Sequence, residues 1–123
     1  MSYEVLLLER DYLRRSLASG ARQWGLAPPL SKEIHDAIFH SAKAEGFVEV
    51  PRTAPIGTRL QLDTSLLSVE LQLFVSLAIF SVQPSTTASA SIAFTRDFSR
   101  RLASELGLGF FNPDTGDSWL GEA

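Results

Sequence analysis

From Leu67 to Ile79 every odd position is apolar: Leu67, Val69, Leu71, Leu73, Val75, Leu77 and Ile79. Such a run of alternations predicts a β-strand with one buried face, because successive side chains of an extended chain point to opposite sides. The even positions begin as Ser68, Glu70 and Gln72 and turn apolar at Phe74, Ala78 and Phe80. The first half of this strand is therefore expected to face water on one side and the second half to be covered on both. The whole element is read as one long strand from Leu66 to about Val82, and its cover must come from the helices of this chain or from a second copy of it.

The flanking segments supply candidates for that cover. Ser2 to Leu8 contains the run Val5-Leu6-Leu7-Leu8, the pattern of a central strand buried on both faces. From Asp11 to Trp24 the spacing of Leu13, Leu17, Ala21 and Trp24 predicts a helix, with Asp11 as its cap and Gly25 and Pro28-Pro29 as its end. A second helix is punctuated by Ser31 as N-cap, Glu33 in the first turn and Gly46 past the end. Phe47 is then expected against the last turn near Ala42, as in a Schellman ending. Ile34, Ala37, Ile38 and Ala42 form its apolar stripe, flanked by Phe39.

Phe47–Val50 reads as a short strand stopped by Pro51, and Leu60–Leu62 as another after a turn-rich stretch from Arg52 to Thr58. Gln83–Thr87 is a turn. Residues 88–94 fit both a strand, by their alternation, and a helix, because Phe94, Phe98, Leu102 and Leu106 repeat every four residues; a helix is defined from about Thr95 to Leu106, ended by Gly107. Leu108–Phe111 is a last short strand before a tight turn, Asn112-Pro113-Asp114-Thr115-Gly116.

In chain order this is strand, helix, helix, strand, strand, long strand, helix, strand. Connections too short for crossovers imply antiparallel pairing. The expected fold is α+β: a mainly antiparallel sheet of four to six strands with two or three helices packed on it, a ferredoxin-like or related sandwich carrying an extra helix and hairpin. The chain has 123 residues, which fits one domain, with residues 112–123 as an acidic tail. The absence of cysteine excludes a disulfide scaffold, a thiol nucleophile and a thiolate metal site.

The N-terminus lacks the basic leader and long apolar core of a signal peptide. The longest apolar run, Leu73–Phe80, falls short of the ~20 residues needed to span a bilayer. The reading therefore places the chain in the cytoplasm, away from membranes. A net charge of −3 disfavours non-specific nucleic-acid binding.

The titratable residues match no chemically specific motif. His35 and His40 are five residues apart on the second helix, about 140° around its axis, so one metal does not readily take both. Asp36 and His40 are one turn apart and Ser41 adjoins them, yet neighbouring helical residues point about 100° apart, and a solvated helix face is expected there rather than a catalytic triad. Gly107 and Gly109 follow a helix and do not form a phosphate loop. No cofactor or metal is expected, and no catalytic residue is assigned.

Two groups remain. Arg96, Arg100 and Arg101 are expected to cluster on one side of the last helix, as a holder for an acidic or phosphate group or as a balanced exposed face. The tail carries Asp114, Asp117 and Glu122 around Trp119, either as an interface anchor or folded back over the sheet. The candidate partner-binding residues are thus Asp114, Asp117, Trp119, Arg96 and Arg100.

Two stretches resemble known families. Ala44–Val50, with the turn and Arg59–Leu62 that follow, resembles the recognition-helix-to-wing passage of winged-helix regulators, which implies nucleic-acid binding as the alternative function. The opening Met1–Leu6 and the closing Arg101–Gly116 resemble a group of small bacterial α+β proteins that begin with a strand and end in a helix, a strand and an Asp-Pro-Gln-Ser-Gly type turn, with Asn112 here in place of the Asp. Some proteins of that build serve as immunity proteins to secreted toxins. The function expected is a non-enzymatic interaction module of the immunity or inhibitor type that covers a partner protein. Homodimerisation through an exposed edge of the long strand is a further expectation.

Overall fold

The alternating stretch is two strands rather than one. In the computed structural model, which describes residues 3–20, 23–50, 57–86 and 88–120, β4 (Ser68–Leu73) turns back at Val75-Ser76 into β5 (Leu77–Val82). Leu73 pairs with Ala78, and the Phe74 N–H donates to the Leu77 carbonyl at 2.8 Å. A two-residue loop pairs odd positions with even ones. The core face accordingly passes from Val69, Leu71 and Leu73 to Ala78, Phe80 and Val82, which is why the even positions turn apolar after Gln72.

This turn lacks the glycine or asparagine that two-residue loops usually need, and no non-glycine residue among those described has a positive φ. It is held from outside. Leu30 N–H donates to the Val75 carbonyl at 2.9 Å, and His35 Nε2 lies 2.7 Å from the Phe74 carbonyl. A carbonyl only accepts, so Nε2 carries the hydrogen in that contact.

The two strands belong to a seven-stranded antiparallel sheet of order β2-β3-β4-β5-β1-β6-β7, one strand more than the upper expectation. The others are β1 (Tyr3–Glu9), β2 (Val48–Glu49), β3 (Thr58–Asp63), β6 (Leu108–Phe111) and β7 (Ser118–Trp119). The neighbours β4-β5-β1-β6 have the antiparallel order of a ferredoxin-like split pair of crossovers. The β2-β3 hairpin extends one side and β7 the other. Both β4 and β5 are interior, so the expected homodimer cannot form by pairing along their edges. The true edges, β2 and β7, are two residues each, a length that offers little template for edge pairing.

The helices cover the sheet unequally. Helix α2 (Lys32–Glu45) and helix α3 (Ala88–Leu106) lie on one face, over a core of Val5, Leu7, Ile38, Ala42, Leu60, Leu71, Leu102 and a cluster of phenylalanines. Phe98 stands 6.1 Å from Phe47 and 5.7 Å from Phe80, ring centre to ring centre. The ends of α2 are as expected. Ser31 Oγ accepts from Ile34 N–H at 3.2 Å, and Gly46 at φ 106° lets Phe47 N–H reach the Ala42 carbonyl at 3.0 Å, a Schellman ending.

Residues 88–94 are helical, and their alternation came from small residues that fit either state. Ser91 is buried against the sheet and its Oγ accepts from Ser68 N–H at 2.9 Å.

Helix α1 (Arg10–Ser19) is shorter than the spacing suggested. Glu9 rather than Asp11 caps it, accepting from Asp11 N–H at 3.1 Å and Tyr12 N–H at 2.8 Å, and Gly20 ends it. Trp24 starts a separate 3-10 turn, Trp24–Leu26, and its ring centre lies 5.0 Å from that of Phe111. Ala21 lies outside the described residues, as does most of the stretch from Arg52 to Thr58.

Together α1 and the 3-10 turn cover part of the opposite face, over Leu6, Leu8, Leu77 and Phe111. Gly109 permits that approach, since a Cβ there would stand 2.6 Å from Leu13 Cδ2. The rest of this face is open and polar: Gln61, Glu70, Ser81 and Glu4 follow one another across β3, β4, β5 and β1.

Candidate functional site

Four of the five candidate residues lie at the rim where β1, β6 and α3 come together: Arg96, Arg100 and Asp117 around Tyr3, and Trp119 beside Phe110 on β7. Arg96 and Arg100 are one helical turn apart on α3, on the flank that looks toward β6. Tyr3 opens β1 on the same face of the sheet as Val5 and Leu7. Both guanidinium groups and the Asp117 carboxylate act electrostatically on the Tyr3 phenol, which places all three near it. Burial pushes that phenol above its ordinary value of 10.0, while the Asn112 side-chain hydrogen bond and the two arginines pull it down.

The last turn builds the floor. Asn112 is only 2% exposed, and its Oδ1 accepts from Asp114 N–H at 2.8 Å and Thr115 N–H at 3.2 Å. This Asx turn sends the chain back as β7, where Trp119 pairs with Phe110 and packs against the core. Ser118 and Trp119 thus join the sheet as β7, with the Trp119 side chain partly buried against the core; Glu122 lies outside the described residues. The Arg100 guanidinium lies over the Phe110 ring, its central carbon 5.0 Å from the ring centre, a cation–π contact.

Arg101 does not join the cluster. A residue next to Arg100 points about 100° away on a helix, and Arg101 faces α2 instead, bonded to Glu45 at 3.2 Å and lying 5.1 Å over Phe98. Asp114 is exposed, and its backbone rather than its carboxylate serves the turn. Tyr3, Asn112 and Phe110 were not singled out from the sequence. What brings them together is the pairing of β1 with β6, which no local spacing marks.

The residues of α2 serve other ends. Asp36 pairs with Lys32 at 2.8 Å rather than with His40, which lowers the Asp36 carboxyl and raises the Lys32 amine. Lys43 lies over Phe39 at 5.6 Å. The helix-to-wing passage is thus α2 with the β2-β3 hairpin, in a larger sheet and with its lysines engaged.

His35, Asp36, Phe39, Leu73, Phe74 and Val75 line a cleft of about 280 Å³ beside the β4-β5 turn, and a second of about 370 Å³ lies between Glu45, Phe94, Phe98 and Arg101. Among the described residues no group of three or more His, Cys, Asp or Glu side chains is placed to hold a metal ion, and no helix is long and apolar enough to cross a membrane.

Neither family models, nor curated proteins, nor solved structures give a match to this chain.

Proposed function

We propose that this chain is a non-enzymatic protein-interaction module of the immunity or inhibitor type, acting in the cytoplasm by covering a partner protein with the rim formed by α3, β6 and β7. The observation that supports this reading is the gathering of Arg96, Arg100, Tyr3, Asp117 and Trp119 from three separated segments at one rim, with Tyr3, Arg100 and Trp119 partly buried and Arg96 and Asp117 exposed. An aromatic and arginine patch of mixed charge is the composition favoured at binding hot spots. Arg100 lies over the Phe110 ring and Trp119 packs against the core, which lowers the ordering cost of these two side chains on association.

The test uses the full chain and the double variant Arg96→Glu/Arg100→Glu. Wild-type chain incubated with extract of its source cells is expected to retain a protein that, once purified, titrates against it with micromolar or tighter affinity by calorimetry. The double variant is expected to lose at least about tenfold in that affinity, some 1.4 kcal/mol. Recovery of the wild type as a partner-free monomer overturns the reading, and so does a partner bound equally well by the double variant.

A further inference from the structure

We propose that the cleft between α2 and α3 receives one guanidinium group, presented by an arginine side chain of the partner protein, over the Phe94 ring and against the Asp97 carboxylate. The partner in this statement rests on the interaction-module reading; the guanidinium chemistry rests on the side chains of the cleft.

The chain already holds one guanidinium of its own there. Arg101 lies over the Phe98 ring, its central carbon 5.1 Å from the ring centre, and its Nη2 donates to Glu45 Oε2 at 3.2 Å. Ring, cation and carboxylate form one set, with Phe98 and Arg101 three residues apart on α3. Phe94 and Asp97 repeat that spacing one turn earlier, and side chains three apart on a helix are neighbours on its surface. Phe94 stacks on Phe98 with ring centres 5.5 Å apart, so the two sets share one aromatic floor. Among the described residues no cation lies over Phe94.

Both members of the second set are accessible. Phe94 is half-buried and the Asp97 side chain is 76% exposed, and both line the cleft of about 370 Å³. The ion pair of Asp97 is with Arg96 Nε at 3.4 Å, longer than the roughly 2.7–2.9 Å of a well-formed charged hydrogen bond. Arg96 is its sequence neighbour and is itself exposed, so an incoming cation displaces it at little cost. Arg101, one turn from Asp97, is committed to Glu45 instead.

Charge selects a cation. Glu45 and Asp97 against Arg101 leave the lining with one net negative charge, and adding the next charges along α3, Arg96 and Glu105, leaves that balance unchanged. Lys43, two residues from Glu45 on α2, points about 160° away from it and lies over Phe39. Glu45 is also the last residue of α2, where the helix dipole is negative. A planar guanidinium can lie on a ring face while its edge meets a carboxylate, which a compact ammonium does less well.

The experiment is an NMR titration of the full chain with N-acetyl-arginine methylamide, with its lysine counterpart and with sodium chloride at matched ionic strength, observing the Phe94 ring and the Asp97 and Arg101 signals. The arginine compound is expected to give saturable shifts that chloride does not, and to bind at least about twofold tighter than the lysine compound. Asp97→Asn is expected to weaken it by about two- to fivefold, the range of an exposed ion pair. Phe94→Leu is expected to weaken it by about the same factor, that of an exposed cation–π contact. Asp97 is exposed, so its variant tests the site with the fold kept, even where Phe94→Leu loosens the packing on Phe98. Asp63→Asn, which removes an exposed carboxylate elsewhere, is expected to titrate like the wild type.

Shifts that stay linear with concentration, or that persist at full strength in Asp97→Asn or in Phe94→Leu, overturn the receptor. An equal loss in Asp63→Asn overturns the site and reduces the effect to net charge. Lysine binding as tight as arginine binding overturns the assignment to a guanidinium. A partner protein captured by the wild type is expected to lose the same two- to fivefold in Asp97→Asn, and capture unaffected by that change overturns the placing of the guanidinium on the partner. If the arginine compound binds but no partner is captured, the module reading fails and the cleft stands.

Discussion

The two faces of the sheet are built to different standards. One is sealed by α2 and α3 over interlocked phenylalanine rings, with Phe47, Phe80 and Phe98 at most 3% exposed. The other is sealed only where α1 and the 3-10 turn lie over β1 and β6, and is left polar over β3 and β4. The difference shows where sequence is constrained by packing and where it is not. Interiors are close-packed and respond to the loss of a few methylene groups, whereas a solvated sheet face needs only side chains compatible with extended backbone. The arginine patch sits at the border between the two regimes, anchored by the sealed face at Phe110 and open to solvent at Arg96.

The sharpest way to break this contrast is to empty each layer in turn. Phe80→Ala removes a ring that meets both Phe47 and Phe98 and is expected to destabilise by about 3–5 kcal/mol in urea unfolding. Leu13→Ala is expected at the low end of its class, about 2–3 kcal/mol, because a single short helix over that face can settle into the space. Equal losses would mean that the second layer is packed as tightly as the first.

Next in size is Gly109→Ala. Its new methyl would meet Leu13 and push α1 outward, at roughly 1–3 kcal/mol. Combined with Leu13→Ala the two changes fill one another's space, so the double variant is expected to be more stable than the sum of the single effects by at least about 0.5 kcal/mol. Strict additivity would show that α1 does not rest on β6 in solution.

The sealed face was legible in the sequence because its signals are local. The caps of α2, Ser31 and Gly46, and the two-sided run of β1 depend on residues within one or two turns of each other. The hairpin at Val75-Ser76 was not legible, since a turn without turn residues is stabilised by Leu30 and His35 from far along the chain; the local trace was a change of parity, from odd apolar positions to even ones. The end of α1 was hidden in the same way, because Trp24 keeps helical spacing past Gly20 although it belongs to another element. Of the patch, Arg96, Arg100, Asp117 and Trp119 were visible as residue types that bind. That Tyr3 completes it follows only from the pairing of β1 with β6, a long-range contact that no spacing encodes.

The smallest effect is expected on the open face, and it is the one that sharpens the comparison most. Arg59 Nε lies 2.5 Å from Glu70 Oε2, with the side chains 42% and 25% exposed. An ion pair so placed is screened by water and salt and contributes less than about 1 kcal/mol. Glu70→Gln should therefore shift the urea midpoint only slightly, and less still when salt is added. A loss above about 2 kcal/mol would be too large for a solvated pair and would instead match the breaking of a buried one. Since no helix among the described residues reaches β4 on that side, such a loss would point to cover from another molecule. Light scattering at the same protein concentration then decides the point: a monomer that still lost this much stability on Glu70→Gln would contradict the open face itself.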